Sequence, residues 1–207
     1  MARKSWTSEV ERVLKDMNLP GSFLVDLLRE PHDWSFIIKL HALVEGVSTH
    51  LLIADLGDER LREPISHLEM SNSRTGKVAF LKALELIESD DRSFISSLSE
   101  LRNQLVHGIA NIEFSLEHKH EGSVGRSLDR LLKSTEHSWD RDAEYAGKKR
   151  VLHGKFLGDK RRVGIWLSAV RFIDSRSPYM PSKGDSRGRL VRALIKQQRG
   201  DASLSSR

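Results

Sequence analysis

From about residue 5 to residue 146 the apolar positions recur every three or four residues, and alternation of the strand type bounded by turn pairs is nearly absent. The pattern predicts an all-α core. Thr7 or Ser8 can cap a first helix running to about Met17, and "LPGS" at 19–22 ends it before a short segment that reaches Glu30. A long helix is expected over 34–56, where Ile37, Leu40, Val44, Val47 and Leu51 form one stripe. "SNSRTG" at 71–76 reads as a loop and "KVAFLKALELIE" at 77–88 as an amphipathic helix. "SDD" at 89–91 then offers caps for a helix over about 92–117, and a further helix over 124–145 carries Leu128, Leu131 and Leu132.

Past Gly147 the period fades. "KKRVLHGKFLGDKRRVGIW" fits either a basic hairpin turning at Gly158-Asp159 or an irregular connection. Val163, Trp166, Val170 and Ile173 restore helical spacing, 177–186 resembles a linker, and "RGRLVRALIKQQRG" forms a short basic amphipathic helix. The expected organisation is a helical domain over 1–146 and a basic, partly helical C-terminal extension over 147–207.

On a helical wheel at about 100° per residue, Phe94, Leu98, Leu101, Leu105, Ile109, Ile112 and Leu116 share one arc, the expected core face. Asn103 projects nearly opposite, flanked by Arg102 and His107. Ser96, Ser99, Val106 and Ala110 surround the trio with small residues that let another helix approach, and a second copy of the chain is a reasonable occupant. Gly108, unfavourable by about 1 kcal/mol inside a helix, fits close approach or a local kink.

The chemistry of the trio suits RNA cleavage. Arg102 offers a planar fork of donors for a phosphate, His107 can exchange protons near neutrality, and Asn103 can orient either. One copy supplies a single such imidazole, whereas a two-fold pair would bring two imidazoles and two guanidiniums to one cleft. Glu100 lies near His107 on the wheel and could tune it.

Charge changes the picture beyond the helical core. The net charge is +5, but residues 1–140 hold 17 Lys and Arg against 23 Asp and Glu, whereas 141–207 hold 17 against 6. The balance is therefore −6 in the first part and +11 in the second. Arg187, Arg189, Arg192, Lys196 and Arg199 are the expected RNA-contacting cations, through attraction to phosphate that weakens with salt.

Other chemistries find little support. The chain has no cysteine, so disulfides and thiolate metal sites are excluded, and no cofactor is expected. His118 and His120 lie together in a polar loop without a carboxylate triad, while His41 and His50 lie on opposite faces of their helix, so no metal site is expected. The four tryptophans are scattered and suit packing better than base stacking. No glycine-rich phosphate loop occurs, and no apolar run of membrane-spanning length is free of charge, so the expectation is a cytoplasmic protein without a membrane partner.

"RNQLVH", Arg102 to His107, resembles the Arg-Asn-x-x-x-His motif of HEPN domains, a superfamily of helical nucleotide-binding domains. The surrounding "GKVAFLKALELIESDDRSFISSLSELRNQLVHG" and the long helix before it are similar to the mannitol-repressor-like branch, with the likeness spanning about residues 30–118. The resemblance implies a HEPN-like helical bundle that dimerises through the motif helix. It also implies metal-independent endoribonuclease activity of toxin or defence type, with Arg102 and His107 as the essential pair and Asn103 beside them. An antitoxin or regulatory partner belongs to that expectation, and so does the alternative found in the superfamily, a non-catalytic dimeric regulatory or partner-binding module.

Overall fold

A computed structural model describes residues 6–140 and 160–176, and no strand occurs among them. The helices are α1 (Trp6–Asp16), α2 (Phe23–Leu28), α3 (Asp33–Leu56), α4 (Arg62–Ser66), α5 (Lys77–Ala83), α6 (Ser89–Val106), α7 (Gly122–Asp140) and α8 (Lys160–Arg176). Short 3-10 turns at Glu59–Leu61 and Ile109–Glu113 precede α4 and follow α6. The basic helix expected over 187–200 and the stretch 141–159 lie outside the described residues.

The core is built around α3. Its expected stripe of Ile37, Leu40, Val44, Val47 and Leu51 is buried, and Phe36, Leu43, Leu52 and Ile53 are buried as well. A helix apolar on so many sides must be enclosed by others, and α2, α4, α5, α6 and α8 all pack against it. α3 is the one described helix long and apolar enough to cross a membrane, but most of that span is buried inside the protein. Gly57 ends it with φ at 71°, in the left-handed region glycine enters without strain, and its N–H bonds the Ile53 carbonyl at 2.9 Å.

α5 stops at Ala83, short of the 77–88 expected from its period. Glu85 turns into the left-handed region at φ 56°, and the Leu86 N–H returns to the Leu81 carbonyl at 2.8 Å, a helix end of the Schellman type. The reversal buries Leu86 and starts α6 in a new direction.

α8 draws on the basic third of the sequence, yet it completes the core. Val163, Ile165, Trp166, Leu167, Val170, Phe172 and Ile173 are all buried in the same cluster as α3 and α6, and each such side chain contributes about 1.5–3 kcal/mol. Trp166 Nε1 donates to the Leu24 carbonyl at 2.7 Å. At the start of α8 Arg162 pairs with Asp33 and donates to the Glu30 carbonyl, and at its end the buried Arg176 pairs with Asp91. Residues 160–176, grouped by charge with the extension, therefore belong to the packed core.

Candidate functional site

The helix bearing the trio is shorter than its wheel implied. α6 starts with a capping box, in which the Glu88 side chain meets the N–H of Asp91 and the Asp91 carboxylate accepts from the Glu88 N–H at 3.2 Å. It ends at Val106 instead of continuing to residue 117. Trp34 Nε1 donates to the Leu105 carbonyl at 3.3 Å and Asn111 Nδ2 to the Gln104 carbonyl at 2.9 Å, so last-turn acceptors are satisfied from outside the helix. Gly108 is extended, with φ at −140°.

This early end rearranges both faces expected of the helix. Ile109 and Ile112, assigned to the core stripe, are 85% and 48% exposed. Leu116 is buried as expected, with its N–H on Asp33 at 2.7 Å and its carbonyl on Arg161, and Phe114 joins it in the core. Ser99, expected on an open face of small residues, is only 2% exposed and lies against α3. Opposite the stripe, then, the helix is covered at Ser99 by the protein's own α3.

The last turn of α6 places Arg102 and Asn103 in a cleft of about 420 Å³, which Ser99, His41, Glu45 and the segment 66–70 also line. Arg102 Nη1 donates to Asn103 Oδ1 at 3.0 Å, and among the described residues no carboxylate pairs with the guanidinium. His107 is the C-cap of α6, exposed and outside that cleft. Glu100, considered as its neighbour, pairs with Arg130 of α7 at 2.7 Å. The structure thus brings Arg102 and Asn103 together in the cleft and leaves His107 outside it. Arg187, Arg189, Arg192, Lys196 and Arg199 lie outside the described residues.

Two buried residues that sequence reasoning did not assign to the site stand at it: His41 lines the cleft, and Lys77 lies behind it on Glu45 and Ser66. His41 is 5% exposed, and its Nε2 lies 3.1 Å from Ser99 Oγ while its Nδ1 lies 3.8 Å from Glu45 Oε2. Lys77 is 1% exposed, and its Nζ donates to Glu45 Oε1 at 2.6 Å and to the Ser66 carbonyl at 3.0 Å. A chain of polar contacts therefore runs from Lys77 through Glu45 and His41 to Ser99, one turn before Asn103. The signal for His41 was its place one turn after Ile37, next to Leu40 on the apolar stripe of α3.

Lys77 is held by the loop before it. Asn72 Oδ1 accepts from the N–H groups of Arg74 and Thr75 at 2.9 and 3.0 Å, and the Lys77 N–H bonds the Glu69 carbonyl at 2.9 Å. A Cβ on Gly76 would stand 2.6 Å from the carbonyl oxygens of Asn72 and Glu69, so only glycine fits there.

Burial is the main cause that pushes His41 down from 6.5 to about 4. Glu45 opposes the shift, while the charges of Arg102 and Lys77 add to it. The imidazole is therefore neutral near neutrality. A second cleft, of about 540 Å³, adjoins the first and shares Glu45 and Ser66 as lining, with Asp16, Thr49, His50 and Arg62 on its other walls.

His120 has a local role, stacked on Phe114 at 4.7 Å with its Nε2 2.6 Å from the Ser115 carbonyl. Compared with family models, curated protein sequences and solved structures, the chain finds no match in any of the three.

Proposed function

We propose that the protein is a homodimeric endoribonuclease that acts without a metal, its centre composed of Arg102, Asn103 and His107 from two copies. The observation that carries this reading is the end of α6. There the His107 side chain is exposed and makes no hydrogen bond or ion pair among the described residues. Beside it stand the exposed Val106, Ile109 and Ile112, and half-buried in the cleft is the Arg102 guanidinium, which pairs with no carboxylate among the described residues. Exposed apolar side chains grouped next to polar ones suit an interface, and a two-fold contact there adds a second imidazole and a second guanidinium to one site.

The reaction balances without any further reagent. The ribose 2′-oxygen bonds to the adjacent phosphorus as the bond to the 5′-oxygen breaks. One imidazole takes the 2′ proton, the other gives a proton to the leaving oxygen, and Arg102 stabilises the charge that develops on the phosphoryl oxygens. The products are a 2′,3′-cyclic phosphate and a 5′-hydroxyl. Losing a positioned acid or base costs about 10²–10⁴-fold in rate. Arg102→Ala and His107→Ala should each lower kcat by that order while circular dichroism stays that of the wild type, and a chelator should leave the wild-type rate unchanged. Undiminished cleavage in both variants would rule the centre out.

A second reading has its own observation: within one chain Arg102 lies in the cleft and His107 outside it. A dimer that keeps them apart would be a non-catalytic regulatory or partner-binding module, with an antitoxin as one candidate partner. Induced expression separates the two readings. Growth arrest relieved by His107→Ala favours the enzyme, and identical growth of both strains favours the module.

A further inference from the structure

We propose that Ser99 is a further hydrogen-bond donor of the Arg102 cleft, released when a phosphodiester enters and His41 takes up a proton. The inference rests on the phosphate-binding part of the reading above and not on cleavage.

The geometry supplies the steps. Ser99 Oγ has one proton to donate and can accept two. The Glu45 carboxylate on the Nδ1 side of His41 favours the tautomer with hydrogen on Nδ1, so the 3.1 Å contact has Ser99 donating to Nε2. In that state the hydroxyl is spent inside the protein. Once His41 is protonated both ring nitrogens are donors, and Nε2 must give its hydrogen to Ser99 Oγ. The serine proton then needs another acceptor. Ser99 lines the cleft, and an oxygen of an anion held by Arg102 and Asn103 provides one.

The charges around His41 explain why the step waits for an anion. Lys77 from α5 and Arg102 from α6 oppose a positive imidazole, Glu45 of α3 favours it, and His67 and Glu69 line the same cleft from the segment before α5. In the empty cleft burial and the two cations keep the ring neutral. A phosphodiester adds a negative charge beside Arg102 and offsets their effect. Binding and protonation then strengthen one another.

The test uses the full chain and thymidylyl-thymidine, a diester that has no 2′-hydroxyl to cleave and no group that titrates between pH 5 and 8. Calorimetric titration in two buffers of different ionisation heat should show proton uptake, with affinity rising as pH falls by up to about tenfold per pH unit, the limit for one linked proton. His41→Gln, which retains a hydrogen bond to Ser99 and cannot titrate here, should abolish the uptake and flatten the pH profile. Ser99→Ala should weaken binding about tenfold at pH 5 and far less at pH 8. In the wild type itself, the His41 ring signals in an NMR titration should shift to a higher pKa when the dinucleotide is added, which reads the same proton without a substitution.

Several results would overturn the proposal. They are absence of binding, pH-independent binding by the wild type, uptake that persists in His41→Gln and so belongs to a group such as His67, and a Ser99→Ala protein that equals the wild type at pH 5 because the hydroxyl bonds its own helix. Cleavage is scored apart: pH-linked binding with no RNA cleavage keeps this proposal and sinks the enzyme, and cleavage without linked binding does the reverse.

Discussion

His41 couples the core to the cleft, and its protonation has a measurable effect on stability. Above pH 6.5 the imidazole is neutral in both folded and unfolded chains. As pH falls from 6.5 towards about 4, the unfolded chain takes up the proton and the folded one does not. Stability should therefore fall over that window by up to about 1.4 kcal/mol per pH unit and level off below it. Between pH 7 and pH 5 the wild type should lose about 2 kcal/mol more than His41→Gln, measured by urea unfolding at both values. Equal losses would mean that His41 is charged in the folded protein.

At the scale of elements, α6 is held at both ends by contacts from elsewhere in the chain. Trp34 reaches its last turn, and its first turn carries Asp91, which serves the capping box and pairs with Arg176 at the end of α8. Asp91 and Arg176 are both buried, so removing Asp91 leaves the buried guanidinium only the exposed Glu88 carboxylate at 3.7 Å. Asp91→Ala should cost about 3–5 kcal/mol in urea unfolding, and the double replacement Asp91→Leu with Arg176→Met should recover most of it. A cost under about 1 kcal/mol for the single change would show that α8 docks by its apolar side chains alone. The same packing makes α8 a core element despite its basic flanks.

For the whole molecule the open question is what meets the end of α6. Ser99 lies inside the protomer, so a substitution there would test the fold and not the association. Ile109 is 85% exposed and contributes nothing to the core, so Ile109→Lys leaves the monomer intact and puts a charge among Val106, Ile109 and Ile112. If two copies meet there, light scattering should give a dimer mass for the wild type at micromolar concentration and a monomer mass for Ile109→Lys. A monomeric wild type would remove the shared centre, while a variant that stays dimeric would move the interface elsewhere. Loss of the dimer and loss of RNA cleavage in this variant should go together, since each copy offers one His107.

The helical period of the sequence determined the all-α class, the stripe of α3 and the buried Val163, Trp166, Val170 and Ile173 of α8, because apolar spacing is a local property that any enclosing core must satisfy. The motif at 102–107 was legible as chemistry for the same reason: residue type and spacing along one helix need no partner to be read. Where that helix stops was not legible. Its end depends on a tryptophan 71 residues earlier in the chain and on an asparagine beyond the turn, and the exposure of Ile109 and Ile112 follows from it, while Leu116 reaches the core as its spacing predicted. Nor could the sequence show that His41 and Lys77 are buried together around Glu45, since α3 and α5 must pack before their charges meet. Tertiary structure alone decided that Arg102 shares its cleft with His41 while His107 lies outside it, because a wheel gives direction around one helix and says nothing of what the other helices cover.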